Sequence, residues 1–339
     1  MHVVHSPLHA RHAGGVELHR GELVPSFESP DRVDHILLAM RAADASVIPP
    51  RDAAVECLHA VHDPAFVGFL QTAYARWQEE GRRGSALPSG FPARSLRRDR
   101  VPQGISGAMG YYAFDAGTPI VEGTWEAAFA SARCALTAAS LVAEGARAAY
   151  ALCRPPGHHA GRSVYGGYCY LNNAALAAQA LRDAGCARVA VLDIDYHHGN
   201  GTQDIFYTRD DVFFASLHGT PETEYPYFLG FADERGGAAG EGFTLNLPLP
   251  RGTGWVTYAE ALHVALRAIE RFGADALVVS LGVDTFEDDP ISSFALGTAH
   301  FVELGARVAA LGRPTVLVQE GGYAVEAIGA NVASVLAAF

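Results

Sequence analysis

Residues Val189 to Gly201 read VAVLDIDYHHGNG. The stretch opens with a short apolar run, Val189, Ala190, Val191 and Leu192, that contains β-branched residues and no polar alternation. Such a run is expected of a strand covered on both faces. Asp193, Asp195 and His197 follow at a spacing of two. Side chains on an extended chain alternate, so these three point the same way. Unpaired carboxylates are costly to bury on an apolar strand, and the triplet therefore reads as a metal-binding group. Chelating residues that converge at the C-terminal end of a parallel strand are where an open α/β sheet builds its site. Gly199 and Gly201 mark a tight turn immediately after.

Outward from this strand, the second half of the chain alternates buried strands with helices. Strands are expected at 148–153, 212–217, 243–247, 276–281 and 315–319. Helices are expected at 172–184, 202–207, 255–272, 299–310 and 325–338. This pattern predicts an α/β fold, a single domain over residues 1–339 with a mainly parallel central sheet and helices on both faces. Upstream, residues 1–6 read as a first strand, and a loop with Gly14 and Gly15 follows, carrying Glu17, Glu22 and Glu28. His2, His5, His9, His12 and His19 are dense there but irregularly spaced, and read as loop or solvent histidines. Pro30 opens a helix through Arg41. Asp63 can cap a helix that has Pro64 in its first turn. Thr124 reads as the cap of a long alanine-rich helix ending near Gly145.

Residues 81–118 have a different character, with Pro88, Pro92 and Pro102, many glycines and a cluster of Arg94, Arg97, Arg98 and Arg100. The segment is too long for a routine connection. Its aromatic patch, Tyr111, Tyr112 and Phe114, argues for an ordered wall around a site entrance or a contact between subunits.

Composition narrows the function. The 25 basic residues are all arginine. No Schiff-base lysine and no lysine-containing phosphate loop can be present. A formal charge of −12 argues against a nucleic-acid partner and is compatible with a cationic substrate. No apolar run is long enough to span a bilayer, and residues 1–12 do not read as a signal peptide. The five cysteines show no CxxC spacing, which fits free thiols in the cytoplasm.

Further loops after strands carry chemistry-bearing residues. PPGHHAG places His158 and His159 side by side on a backbone stiffened by prolines and glycines, a pair suited to acid–base work near neutral pH. SLGVDTFEDDP sets Asp284 just beyond a buried strand, where it can join Asp195 and His197. Three protein ligands leave a position open for water or substrate, as in a catalytic zinc site. QEGGY carries Tyr323, a phenol placed to donate to a developing oxyanion.

Together, RPPGHHAG, DIDYHHGNG, GVDTFEDDPIS and QEGGY resemble the motifs of the zinc-dependent deacetylase family that includes the histone deacetylases, and the resemblance covers nearly the whole chain. The form GVDTFEDDPIS, with GTWEAA, GYCYLNNAA and HRGELVPSFESP, most resembles its acetylpolyamine amidohydrolase branch. The resemblance implies the arginase–deacetylase fold and removal of acetyl groups from N-acetylated polyamines. It implies one zinc ion on Asp195, His197 and Asp284, and His159 as the base that activates water and then as the acid toward the amine. His158 would support the transition-state charge and be oriented by Asp193, and Tyr323 would donate to the carbonyl oxygen. Gly167, Tyr168 and Tyr225 would line a substrate tunnel, with Glu17 as an acidic entrance residue alongside Glu22. Two structural potassium sites are implied. One uses Asp193, Asp195, His197, Ser216 and Leu217; the other uses Phe206, Arg209, Val212 and Phe243, mostly through backbone carbonyls. A homodimer formed through residues 81–118 is implied as well. Two positions depart from the commoner pattern of the histone deacetylases. Asn200 stands behind the base where an aspartate is frequent, and Tyr225 adds a hydroxyl where phenylalanine is frequent.

The alternatives are a deacetylase acting on acetyl-lysine proteins or other small amides, a two-manganese ureohydrolase on the same fold, and a non-catalytic sensor of acetylated amines. The ureohydrolase needs more aspartates around a second metal than Tyr196, His198, Gly282 and Phe286 can supply. The sensor is disfavoured because every catalytic position is filled.

Overall fold

The computed structural model describes residues 1–339. Strand β1 (His2–Val4) leads into a hairpin of β2 (Val16–His19) and β3 (Glu22–Pro25), then α1 (Asp31–Ala42), β4 (Ser46–Ile48), α2 (Pro64–Glu79) and α3 (Ile105–Tyr112). Helix α4 (Thr124–Ala143) precedes the regular alternation of β5 (Ala148–Ala151), α5 (Asn173–Asp183), β6 (Val189–Asp193), α6 (Asn200–Phe206) and β7 (Val212–Gly219). The chain closes with β8 (Thr244–Leu249), α7 (Trp255–Phe272), β9 (Ala276–Leu281), α8 (Thr298–Ala309), β10 (Thr315–Gln319) and α9 (Val325–Leu336).

Eight strands form one sheet in the order β4-β1-β5-β10-β9-β6-β7-β8. All its pairings are parallel. The apolar run that opens β6 divides by pleat. Val189 and Val191 join a core that includes residues of α2, α4 and α5, and Ala190 and Leu192 join a second core shared with α1, α7, α8 and α9. Burial on both faces is why these strands show no polar alternation. β6 continues outward to β7 and β8, whereas β9 and β10 return to fill the gap between β6 and β5. Strand order therefore reverses beside β6, the point where open α/β sheets leave a crevice.

Four expectations change. Glu17 lies on a hairpin, not in a loop, and its turn uses Arg20 and Gly21 at positive φ (50° and 88°). β4 was not anticipated. The segment 81–118 contains α3, whose Tyr112 stacks on Phe69 of α2 at 4.6 Å, so this part of it packs onto the protein's own core. Thr124 is the first residue of α4 and not its cap; its hydroxyl accepts from Val121 N and lies 3.0 Å from His12 Nδ1.

Candidate active site

Strands β5, β6, β9 and β10 end at nearly the same level, with Asp193 paired to Ser280 and Gln319 to Leu281. The loops leaving these ends, 152–172, 194–199, 282–297 and 320–324, meet over the reversal point. Asp195, His197 and Asp284 bring ligand atoms within 4.8 Å of one another, and all three are buried. Backbone donors fix the carboxylates. Gly321 N and His197 N donate to Asp195 at 2.7 and 2.9 Å, and Tyr196 N donates to Asp284 at 2.7 Å. Gly282 must be glycine, because a Cβ there would run into the Asp195 carboxylate. Burial pushes the Asp284 carboxyl up to about 8, and the charge of Asp195 adds to the rise. A cation seated between them would relieve that cost. Two carboxylates and one imidazole, with no arginine paired to either acid, are the donor chemistry of a divalent transition-metal site. His198 turns away, with Nε2 3.0 Å from Gln203 Oε1 and 3.1 Å from Asn246 Oδ1.

The adjacent histidines have opposite environments although their rings lie 4.1 Å apart. His158 Nδ1 lies 2.9 Å from Asp193 Oδ2, and Asp193 and Asp195 hold the imidazole up at about 10 against the effect of burial. His159 is pushed well below the ordinary histidine range by burial and by the charges of His158 and His197. Its Nδ1 donates to Asn200 Oδ1 at 2.7 Å, which leaves Nε2 with a free lone pair. The neighbouring carboxylates thus favour the protonated form of His158, whereas burial and nearby positive charge favour the neutral form of His159.

Three residues central to this arrangement escaped the sequence reading. Glu320, fully buried, accepts from the backbone N–H groups of Gly157 and His158 at 2.6 and 3.1 Å, and so ties the histidine loop to the end of β10. Asp289 accepts from Tyr323 N at 2.7 Å. Arg32 on α1 donates to Gly322 O and Glu320 O, both at 2.6 Å, and its guanidinium lies 4.8 Å from the centre of the Tyr323 ring. Arg32 is held in turn by Glu28, which also pairs with Arg154 at 2.8 Å. His9 and His12 are buried beside this network, with their carbonyls accepting from Arg154, and are not solvent histidines. Glu320 and Asp289 stood within motifs already singled out, QEGGY and FEDDP, but nothing in their spacing distinguished them from surface acids.

A cavity of about 410 Å³ opens onto this chemistry, with His159, His197 and Tyr323 among its lining residues. Gly167, Tyr168 and Tyr225 also line it, with Glu17, Asp115 and Glu224 as its acids. Glu17 is buried and accepts from Tyr168 Oη at 2.7 Å, whereas Glu22 is exposed and does not line the cavity. Of the residues associated with potassium, Asp193 pairs with Ser216 across β6 and β7, and Leu217 follows it. Phe206 ends α6 and its carbonyl accepts from Arg209 N beyond the helix at 2.9 Å, while Val212 starts β7 and Phe243 O accepts from Phe214 N at 2.9 Å.

The chain is similar to known proteins over nearly its whole length. The family model of the histone deacetylase domain matches residues 26–339. Acetylpolyamine amidohydrolase 1 of Pseudomonas aeruginosa is 54% identical, over 98% of this chain and 97% of its own length. Acetylpolyamine amidohydrolase of Mycoplana ramosa is 50% identical over 99% and 98%. A crystal structure of acetylpolyamine aminohydrolase from Burkholderia pseudomallei superposes with a TM-score of 0.95 at 43% identity, covering 100% of this chain and 98% of that one. The HDA15 HD domain superposes with a TM-score of 0.82 at 28% identity, covering 99% and 90%.

Proposed function

The chain belongs to the histone deacetylase domain family, and from that membership we propose that it removes acetyl groups from N-acetylated polyamines, releasing acetate and the free amine. It is a hydrolase of the deacetylase type, in a family whose members are metal-dependent. The observation that carries the reading is the pairing of a neutral His159 with the Asp195, His197 and Asp284 cluster, which His197 and His159 carry to one cavity with acidic walls.

Asp195, His197 and Asp284 would hold one zinc ion, which supplies Lewis acidity to the scissile carbonyl and to the attacking water. His159 Nε2 takes the proton from that water, and Asn200 keeps the Nδ1 proton in place. The same imidazole then protonates the departing amine. His158, held by Asp193, offsets negative charge as the tetrahedral centre forms. The Tyr323 phenol donates to the oxyanion, and Arg32 beneath its ring and Asp289 at its backbone hold it in position. Gly167, Tyr168 and Tyr225 form the walls, and Glu17 supplies the acidic surface for a distal ammonium.

Potassium at the two carbonyl-rich positions, Asp193, Ser216 and Leu217 with the metal loop, and Phe206, Arg209, Val212 and Phe243, would brace the loops after β6 and α6. Residues 81–118, which end beside the cavity and expose Leu96, would join two subunits into a dimer. No helix is long and apolar enough to cross a membrane. The five free cysteines fit a cytoplasmic location.

A substrate panel on protein of known metal content tests the reading. Acetylputrescine, acetylcadaverine, acetylspermidine and acetylspermine should each exceed an ε-acetyl-lysine peptide in kcat/KM. A peptide preferred over all four would refute the polyamine assignment. Sedimentation of wild type against Leu96→Asp tests the dimer, which should shift toward monomer in the variant.

A further inference from the structure

The tunnel mouth is bordered by a chain of hydrogen bonds in which one residue, Asp115, joins opposite walls. Its carboxylate accepts from Tyr225 Oη at 2.7 Å and from Gly167 N at 2.5 Å. It also accepts from Gly117 N and Thr118 N, both at 3.0 Å, and from Thr118 Oγ1 at 3.2 Å. A carboxylate offers about four lone-pair sites. The protein's own donors therefore occupy Asp115, and its task at the mouth is to hold walls together. Thr118 Oγ1 accepts from Tyr168 N at 3.1 Å, and Tyr168 Oη reaches Glu17, so the chain runs on around the opening from Tyr225 to the β2–β3 hairpin.

Both walls are seated on the base. A Cβ on Gly167, whose φ is +56°, would strike the His159 ring. Tyr225 meets the same ring edge-on, with centroids 5.1 Å apart at 89°. The ring of Tyr225 also stacks on Phe114 of the far wall, with centroids 6.0 Å apart, but the other polar attachments of its segment lie on its own side. Glu224 pairs with Arg251 at 2.6 Å, and Thr220 N donates to Leu249 O at 2.9 Å. The neighbouring Tyr227 and Phe228 are 50% and 86% exposed. The Tyr225 hydroxyl is thus the hydrogen bond that ties residues 220–230 to the far wall.

We infer that the Tyr225 hydroxyl, through Asp115, is a specificity determinant that fixes the width of the mouth and admits unbranched alkyl amines in preference to acetyl-lysine within a polypeptide. The inference rests on the amide-hydrolase reading above. An acetylpolyamine threads a single methylene chain through the opening. An acetyl-lysine residue brings the same chain but carries two peptide arms at its Cα, which must settle against the rim that Asp115 holds together. A hydrogen bond to a charged acceptor is of the stronger kind, and its loss frees the loop without removing the ring that packs on His159.

The test compares zinc-loaded wild type with Tyr225→Phe, using N-acetylputrescine and an ε-acetyl-lysine peptide. The ratio of kcat/KM, amine over peptide, should fall at least fivefold in the variant. Amide hydrogen exchange in residues 220–230 should accelerate while that of β6 stays unchanged. A smaller change in the ratio overturns the inference, and so does a fall without faster exchange in this segment. The wild-type ratio reads the substrate proposal separately. A wild type that favours the peptide refutes the polyamine assignment, whereas the shift caused by Tyr225→Phe still reports on the mouth.

Discussion

At Glu320 a single buried carboxylate serves three donors: Gly157 N, His158 N and the Ser280 hydroxyl. Burial raises its pKa to about 7. Replacing it with alanine strands two backbone N–H groups in the core, each costing about 1–3 kcal/mol. The Glu320→Ala protein should lose about 2–4 kcal/mol in urea unfolding, and its kcat should fall on the order of 10- to 100-fold as the histidine loop drifts. Glu320→Gln keeps an oxygen in place and should be the milder change on both measures; equal damage from the two would show that charge, not acceptance, is what matters. The same scale explains what the sequence revealed of the site. Asp195, His197, Asp284, His158, His159 and Tyr323 sit in loops that follow strands, where residue type and position together identify them. Glu320, Asp289, Arg32 and Asp115 act through backbone groups and rings contributed from far away, and nothing local distinguishes an acid that accepts from a distant N–H from one that faces water.

At the scale of elements, α5 begins at a polar knot. Asn172 caps it by accepting from Ala175 N at 2.9 Å and also donates to Ala160 O at 2.9 Å. The backbone N–H of Asn172 donates to His62 Nε2 at 2.9 Å, while His62 Nδ1 donates to Gly161 O at 2.9 Å. His62 must be neutral to accept and donate in this way, and burial pushes it down to about 4 from 6.5. The unfolded chain therefore binds this proton first as pH falls. The stabilisation is full above pH 6.5 and is lost as pH drops toward 4, by about 3 kcal/mol if the folded form stays intact. Unfolding at pH 7.5 and 4.5 should show His62→Gln with a shallower loss than wild type; parallel losses would clear His62 of the effect. The elements themselves were legible to different degrees. Strands β5 to β7, β9 and β10 announce themselves as apolar runs because both faces are covered. The β2–β3 hairpin does not, because Leu18 and Leu23 are exposed and its turn is Arg-Gly, not Asn-Gly. Helix α3, ISGAMGYY, holds two glycines and forms because Ile105, Met109 and Tyr112 are buried, a tertiary cause that propensity does not register.

For the molecule as a whole, the metal cluster lies where four loops meet, so occupancy should register as global stability. Chelation should lower the melting temperature, and added zinc should restore it in step with free concentration, the stabilisation reaching about 4 kcal/mol at a thousandfold excess over Kd. A melting temperature indifferent to chelator would argue against a bound ion at Asp195, His197 and Asp284. The order of the sheet carries another consequence. β9 and β10 lie between β5 and β6, yet they emerge from the ribosome well after both. Until residues 276–319 are synthesised, β5 and β6 have no strand between them, and Tyr323 and Glu320 do not yet exist. A nascent chain therefore has open strand edges from the completion of β6 until β9 and β10 arrive, the state in which chaperones are needed most. Hydrolytic activity should appear abruptly once the last strand and the Tyr323 loop behind it are in place, not build up as the chain lengthens.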